Sequence, residues 1–237
     1  MKAVLDIHRR KPEQKNSYRQ SFEIEAAPGD TLLDLFHKIQ AEKDPTFAYR
    51  YSCRGAICGS CAVRINGTAA LACKTQAAPL AEKGVIVVDP LGNLPSLKDL
   101  VVDFALFWEA YDKVRPYIVR QREQHDYRLT WEDKLSKKHL DQLDRAILCI
   151  KCASCFSDCP KRREDARFMG PAAAANLYKF YFDPRDAIHA ERRELSADPG
   201  FGVVACDSHA NCVKVCPKDV RPLRAINLIR QDLPKQE

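Results

Sequence analysis

The sequence predicts an α+β chain in which a small mixed unit precedes a helical unit threaded with cysteine-rich loops. Three observations carry that expectation. Alternation of apolar and polar residues is confined to about the first ninety positions. Beyond Pro90, Gly92, Asn93 and Pro95 the apolar period lengthens to that of helices. Eleven cysteines fall into three groups of close, regular spacing.

Taken in order, Ala3–Ile7 and Ser21–Glu25 alternate as a half-buried hairpin does, with the basic run at 8–15 (HRRKPEQK) expected in the loop between them. The run has the composition of part of an Arg-rich transit peptide, but its place between two strand-like stretches favours the loop. Pro28-Gly29-Asp30-Thr31 is a turn that ends on helix N-cap residues. Leu32, Leu33, Leu35, Phe36 and Ile39 follow at helical spacing, bounded by Pro45. Ala62–Ile65 runs into Asn66-Gly67, a dipeptide that suits a tight hairpin turn, and Val85–Val88 reads as a short buried strand. After the linker, Leu100, Val101, Phe104, Trp108 and Tyr111 form one helical stripe. Leu140, Leu143 and Ile147 form another, leading into the second cysteine group.

Composition removes several function classes. An apolar fraction of 46% argues against disorder, and a net charge of +6 without a basic domain does not call for nucleic acid. An odd count of 11 Cys in a chain this long is unlike a secreted disulfide framework. Met1–Ile7 is too short and too charged for a signal-peptide core. The longest apolar runs, such as Val85–Val88 and Pro171–Ala175, fall far short of the roughly 18–20 residues that span a bilayer. A soluble chain with no transmembrane segment of its own is expected.

The first cysteine group is Cys53, Cys58, Cys61 and Cys73, in CRGAICGSC…C. C-x4-C-x2-C with a distant fourth Cys is the plant-type [2Fe–2S] spacing. Gly55 and Gly59 allow the backbone angles that let thiolates and N–H groups converge on a small anion. A zinc site or buried structural cysteines are the alternatives, although zinc ligands usually come as two paired knuckles. The second group, Cys149, Cys152, Cys155 and Cys159-Pro160, has the spacing C-x2-C-x2-C-x3-C-P, in which the fourth Cys binds a different cluster. Such a motif needs a partner. Cys206, Cys212 and Cys216-Pro217 repeat the frame with His209 in place of the middle Cys. By reciprocity Cys216 joins Cys149, Cys152 and Cys155 on a [4Fe–4S] cubane, and Cys159, Cys206 and Cys212 hold the other cluster. Three thiolates leave one cubane corner bare, which favours [3Fe–4S]. A zinc or RNA-binding knuckle is the competing reading of these two motifs.

With these motifs in place, the chain resembles the iron–sulfur subunits of succinate dehydrogenase and fumarate reductase over nearly its whole length. CRGAICGSC, CIKCASCFSDCP, FMGPAAAANLYKFYFDPRD (168–186) and CDSHANCVKVCPKDVRP (206–222) carry the resemblance. It implies a β-grasp [2Fe–2S] ferredoxin-like domain over 1–95, followed over 96–237 by an all-helical ferredoxin domain with two cubane-type clusters. It also implies an electron relay from an FAD-bearing flavoprotein subunit through [2Fe–2S], [4Fe–4S] and [3Fe–4S] to a quinone, menaquinone or ubiquinone. The further partners implied are membrane-anchor subunits, of a kind that can carry haem b. The implied location is the cytoplasmic face of a bacterial inner membrane, as a peripheral part of a membrane complex. Pro160, Lys161, Asp207 and His209 fall in the implied quinone vicinity. The sequence departs from the family there, with Lys161, Arg162 and Arg163 where ubiquinone-reducing members often carry paired Trp, and with Asp207 where they carry His.

His209 has three readings: a fourth iron ligand, a proton-relaying group at the quinone, or a packed or solvated residue. Lys161-Arg162-Arg163 reads as a solvated or subunit-paired face, against contact with lipid head groups or the quinone mouth. Trp108, Trp131 and the aromatics of 178–182 are expected in the core or at a subunit interface, and Asp183 with Arg185 in a turn or interface ion pair. No nucleophile–base pair or phosphate-binding glycine loop is present, so no catalytic residue is assigned. The same subunit of a quinol:fumarate reductase, electron delivery to a soluble acceptor, and a zinc-stapled interaction module are the competing functions.

Overall fold

The computed structural model describes residues 1–14, 16–120, 135–143 and 145–234; Trp131 lies outside them. The strands are β1 (Lys2–Arg10), β2 (Ser17–Glu25), β3 (Ala62–Ile65), β4 (Thr68–Leu71), β5 (Ile86–Asp89), β6 (Ser96–Lys98) and β7 (Val101–Val102). The helices are α1 (Leu32–Glu42), α2 (Ala78–Ala81), α3 (Ala105–Lys113), α4 (Lys137–Leu143), α5 (Ser154–Ser157), α6 (Pro160–Glu164), α7 (Gly170–Tyr181), α8 (His189–Ala197), α9 (Asn211–Lys214) and α10 (Pro222–Asp232). They form two compact units. One comprises Met1–Phe107, Ile150–Asp158 and Val215–Pro217; the other comprises Trp108–Cys149, Cys159–Lys214 and Lys218–Glu237.

The first unit is a β-grasp. Its mixed sheet has the order β2-β1-β5-β3-β4, with β1 antiparallel to β2 and parallel to β5. The alternation foreseen in β1 is real: Ala3, Leu5 and Ile7 are buried, with Leu5 opposite Phe22. Leu32, Leu33, Leu35, Phe36 and Ile39 of α1 are buried as the helical spacing predicts. Each such side chain contributes about 1.5–3 kcal/mol by leaving water. Thr31 and Asp34 close a reciprocal capping box at the start of α1, a feature whose loss costs about 1 kcal/mol. Asn66 and Gly67 both have positive φ, as a two-residue hairpin turn between β3 and β4 requires.

Two expectations fail in this unit. The basic run at 8–15 is not all loop, because β1 continues to Arg10 and Arg9 is buried. Its guanidinium donates to Asp99 (3.0 Å) and Asp44 (2.7 Å), so a charge that reads as solvated is paired inside. The helical stripe does not begin at Leu100. Residues 96–102 form the β6–β7 hairpin, and the helix starts at Ala105. The cause is long-range. Asp99 sits at φ +47°, and its carboxylate accepts from Arg9, Arg10 N–H (3.0 Å) and Ala48 N–H (2.9 Å).

The second unit is helical. Its core gathers Phe168, Met169, Leu177 and Tyr181 with Ile226 and Ile229, where α7 packs on α10. Ala172–Ala175 are all buried, since a run of small side chains lets neighbouring elements approach α7 from every side. A charged pair is enclosed here too: Arg192 donates to Asp186 (2.8 Å) and to the carbonyl of Val114 (2.8 Å). Asp183 and Arg185 make the expected ion pair at the end of α7 (2.7 Å). The stripe of Leu140 and Ile147 is not a core stripe; both are exposed, and Ala146 is buried instead. The helical period breaks there, α4 giving way to a 3-10 turn at Ala146–Leu148.

Candidate iron–sulfur centres

None of the eleven cysteines is joined in a disulfide. The first group is built by the loop before β3 and the turn after β4. Arg54 and Ala56 have positive φ, which turns successive N–H groups inward. The Cys53 sulfur accepts from the backbone N–H of Cys58 (3.2 Å), Ile57 (3.3 Å) and Gly55 (3.4 Å). Those donors favour the thiolate and lower its pKa to about 6. Across the site the Cys73 N–H donates to the Cys61 sulfur (3.5 Å). Burial drives Cys61 up to about 12, with the neighbouring Cys73 and Cys58 adding to the rise. A buried thiolate at that position needs a cation beside it, which iron would supply. The outer rim is open: Ile57 is 67% exposed and Cys53 is exposed.

Residues Ile150–Asp158 of the second loop belong to the same unit. Gly59, at φ +77°, lies so close to Cys152 that a Cβ there would stand 2.7 Å from the Cys152 Cβ. The loop is held by groups that read as linker and hairpin in the sequence. Asn93 donates to the carbonyls of Phe156 (2.7 Å) and Ser157 (3.1 Å), and Gly92 N–H to the Ser157 hydroxyl (2.8 Å). Asp158 accepts from Ala69 N–H (2.8 Å). Cys152, Cys155 and Cys216 belong to this first unit, and Cys149 belongs to the second. Cys149 accepts from the Asn176 amide (3.6 Å), on α7.

Cys159, Cys206 and Cys212 all lie in the second unit. Burial raises the Cys159 and Cys212 thiols, the latter to about 12. Each feels the charge of Cys206, and Cys212 that of Cys159, so the three sulfurs are neighbours. The loop repeats the second one with a constant offset of 57 residues (149 to 206, 155 to 212, 160 to 217). Lys151 and Ala153 have positive φ, and so do Ser208 and Ala210 at the matching places. Helices α5 and α9 match in the same register. His209 therefore occupies the backbone position of Cys152. Among the described residues no three His, Cys, Asp or Glu side chains converge on a single metal-ion position. A polynuclear cluster does not need that convergence, since its irons bind separate thiolates.

Comparison with known proteins agrees with these loops. Residues 4–109 match the model of a 2Fe-2S iron-sulfur cluster binding domain, and residues 145–220 that of a 4Fe-4S dicluster domain. The chain is 37% identical over 234 residues to a succinate dehydrogenase iron-sulfur subunit of Coxiella burnetii, covering 97% of this chain and 96% of that one. It is 35% identical over 230 residues to the mitochondrial succinate dehydrogenase [ubiquinone] iron-sulfur subunit 3 of Arabidopsis thaliana, covering 95% of this chain and 73% of that one. The chain belongs to the succinate dehydrogenase iron–sulfur subunit family. Its fold also matches a chain of the Mycobacterium smegmatis Sdh1 complex in the apo form, with a TM-score of 0.87 at 24% identity, over 98% of this chain and 95% of that one.

In this member of the family, Lys161 pairs with Asp207 (3.4 Å), so two of the four residues expected near quinone meet. Pro160 opens α6, and His209 is exposed. The solvated face expected for Lys161-Arg162-Arg163 is wrong for Arg162. That residue is only 6% exposed and donates to the carbonyls of Phe168 (2.8 Å) and Ala166, because the short α6 turns it inward beneath Cys159. Arg230 of α10 gathers the carbonyls of Val203 (3.0 Å), Val204 (3.0 Å) and Cys206 together with the Ser208 hydroxyl (3.2 Å). Sequence reasoning gives no site role to Arg230, Asn93 or Asn176. Only Asn176 leaves a sequence signal, as a polar residue inside the apolar run of α7. Trp108 is half-exposed, whereas Tyr178 and Tyr181 are core residues. No helix among the described residues is long and apolar enough to cross a membrane.

Proposed function

We propose that this chain is the electron-transfer subunit of a succinate:quinone oxidoreductase, holding three clusters that pass electrons in series. Cys53, Cys58, Cys61 and Cys73 hold [2Fe–2S]; Cys149, Cys152, Cys155 and Cys216 hold [4Fe–4S]; Cys159, Cys206 and Cys212 hold [3Fe–4S]. The observation that carries the reading is the paired loop winding, in which one middle position bears Cys152 and the other His209. When bound, the clusters supply one-electron transfer between a flavin and a quinone.

The chain's own groups do the rest. N–H donors around Cys53 stabilise anionic sulfur, and the missing Cβ of Gly59 lets the first cysteine loop touch Cys152. Burial of Cys159 and Cys212 excludes water from the third site. Lys161, Asp207 and His209, with Pro160, form the polar lip of that site, where a menaquinone or ubiquinone head group finds donors. The partners this implies are an FAD-bearing subunit and membrane anchors, with the complex on the cytoplasmic face of a bacterial inner membrane. The [2Fe–2S] role falls to residues 1–95 and the two cubane-type clusters to residues 96–237.

The test is purification of the complex from membranes under anaerobic conditions. About nine irons per chain are expected, with matching sulfide and an oxidised three-iron paramagnetic signal. Succinate-dependent quinone reduction and quinol-dependent fumarate reduction, assayed together, fix the direction. Four irons or fewer, or zinc in their place, would sink the three-cluster reading.

A further inference from the structure

Resting on the ligand set proposed above, we propose that Asn176 sets the reduction potential of the four-iron cluster through an amide N–H aimed at Cys149, reinforced from behind by Lys179. Asn176 is 1% exposed on α7, flanked by Ala172–Ala175 and Leu177, which are themselves buried. Apolar packing alone would accept Ala or Leu there, and Asn is a weaker helix former than either.

The amide is instead fully used. Its nitrogen donates to the Cys149 sulfur (3.6 Å) and to the Ala172 carbonyl (2.8 Å). Its oxygen accepts from the Tyr111 hydroxyl (3.2 Å) and the Lys179 ammonium (2.7 Å). An ammonium group only donates, so the amide oxygen must face Lys179 and the N–H must face the sulfur. All five residues belong to the second unit.

Cluster reduction adds one electron, spread partly over the sulfur ligands, and moves no proton and breaks no bond. A hydrogen bond to a ligand sulfur and a nearby cation both stabilise the more anionic state, which raises the potential. The Lys179 charge also polarises the amide, making its N–H a stronger donor. Asn176 is therefore a positioning residue that acts on the cluster through Cys149.

The test is a redox titration of the whole complex followed by paramagnetic resonance, comparing wild type with Asn176→Leu and Lys179→Met. At the ambient potential that half-reduces the wild-type four-iron cluster, the reduced-to-oxidised ratio should fall about tenfold in Asn176→Leu, a shift of about 59 mV for one electron. In Lys179→Met it should fall by a smaller factor of about three. The [2Fe–2S] and three-iron centres should titrate unchanged in both. Asn176→Leu should also lose one exchangeable deuteron coupled to the reduced cluster. An unmoved four-iron potential in both variants, or an equal shift of all three centres, would overturn the inference. If Asn176→Leu fails to assemble the cluster, Lys179→Met, which keeps Asn176 and all four cysteines, decides alone. A wild-type complex without a four-iron signal would instead bring down the ligand assignment, and this inference with it.

Discussion

The cysteine loops at 149–160 and 206–217 share a backbone path but not a means of support. Both place two residues at positive φ between their cysteines and then start a four-residue helix. From residue 150 to 158 the first loop is tied to the β-grasp unit by the Asn93 amide and the Gly92 and Ala69 N–H groups, with Arg64 paired to Asp158 (3.4 Å). The second receives the guanidinium of Arg230, which gathers three carbonyls, and the Lys161 ammonium, which pairs with Asp207. The middle position differs too: Cys152 is buried, and His209 is exposed. Local winding is thus a property of the motif, whereas surroundings decide what each position can bind.

The comparison breaks most completely at Cys212. Cys212→Ser should abolish the oxidised three-iron signal and quinone reduction while the [2Fe–2S] signal survives; loss of the [2Fe–2S] signal alone would show the groups misassigned. His209→Cys should make the two loops chemically alike. It supplies a fourth thiolate, and the three-iron signal should give way to a four-iron one, whereas His209→Ile should leave it in place. If the three-iron signal is missing in wild type and appears only in His209→Ile, the histidine is a ligand and the contrast between the loops disappears.

Smaller changes test the supports. Arg230→Met leaves carbonyls without a charged donor and should cost about 3 kcal/mol, read from chemical denaturation of the holoprotein. Gly59→Ala places a methyl against Cys152 at a positive φ, with an expected cost of about 1–3 kcal/mol and perturbation of two clusters at once. Asn93→Ala should cost about 1 kcal/mol, less than Arg230→Met; the reverse order would mean the Asn93 amide is the stronger support. The smallest effect is in pH. Thr46 and Arg9 depress the Asp44 carboxyl to about 2, so its stabilisation of the first unit is complete above the ordinary carboxylate range. It should be lost as pH falls from about 4 toward 2, and Asp44→Asn should flatten that part of the acid-unfolding curve.

Legibility followed the range of the interactions. The strand alternation at Ala3–Ile7, the α1 stripe and its Thr31 cap, and the Asn66-Gly67 turn are set within a few residues, and each is found where the pattern places it. The β6–β7 hairpin was hidden because Asp99 is held by Arg9, Arg10 and Ala48, partners remote in sequence. Leu140 and Ile147 misled for the opposite reason, since apolar spacing is present but the helix ends between them.

Cysteine spacing by itself set the expectation of three centres and of the ligands for each, because each loop winds locally and the last cysteine of each Cys-Pro motif belongs to the other loop's cluster. It also marked His209 as the substituted position. Only the tertiary structure decided the electrostatics. It placed Arg162 beneath Cys159, aimed the Asn176 amide at Cys149 and gave Arg230 to the Cys206 loop. A side chain's charge is written in the sequence, but its effect depends on burial and on partners that folding brings from distant positions.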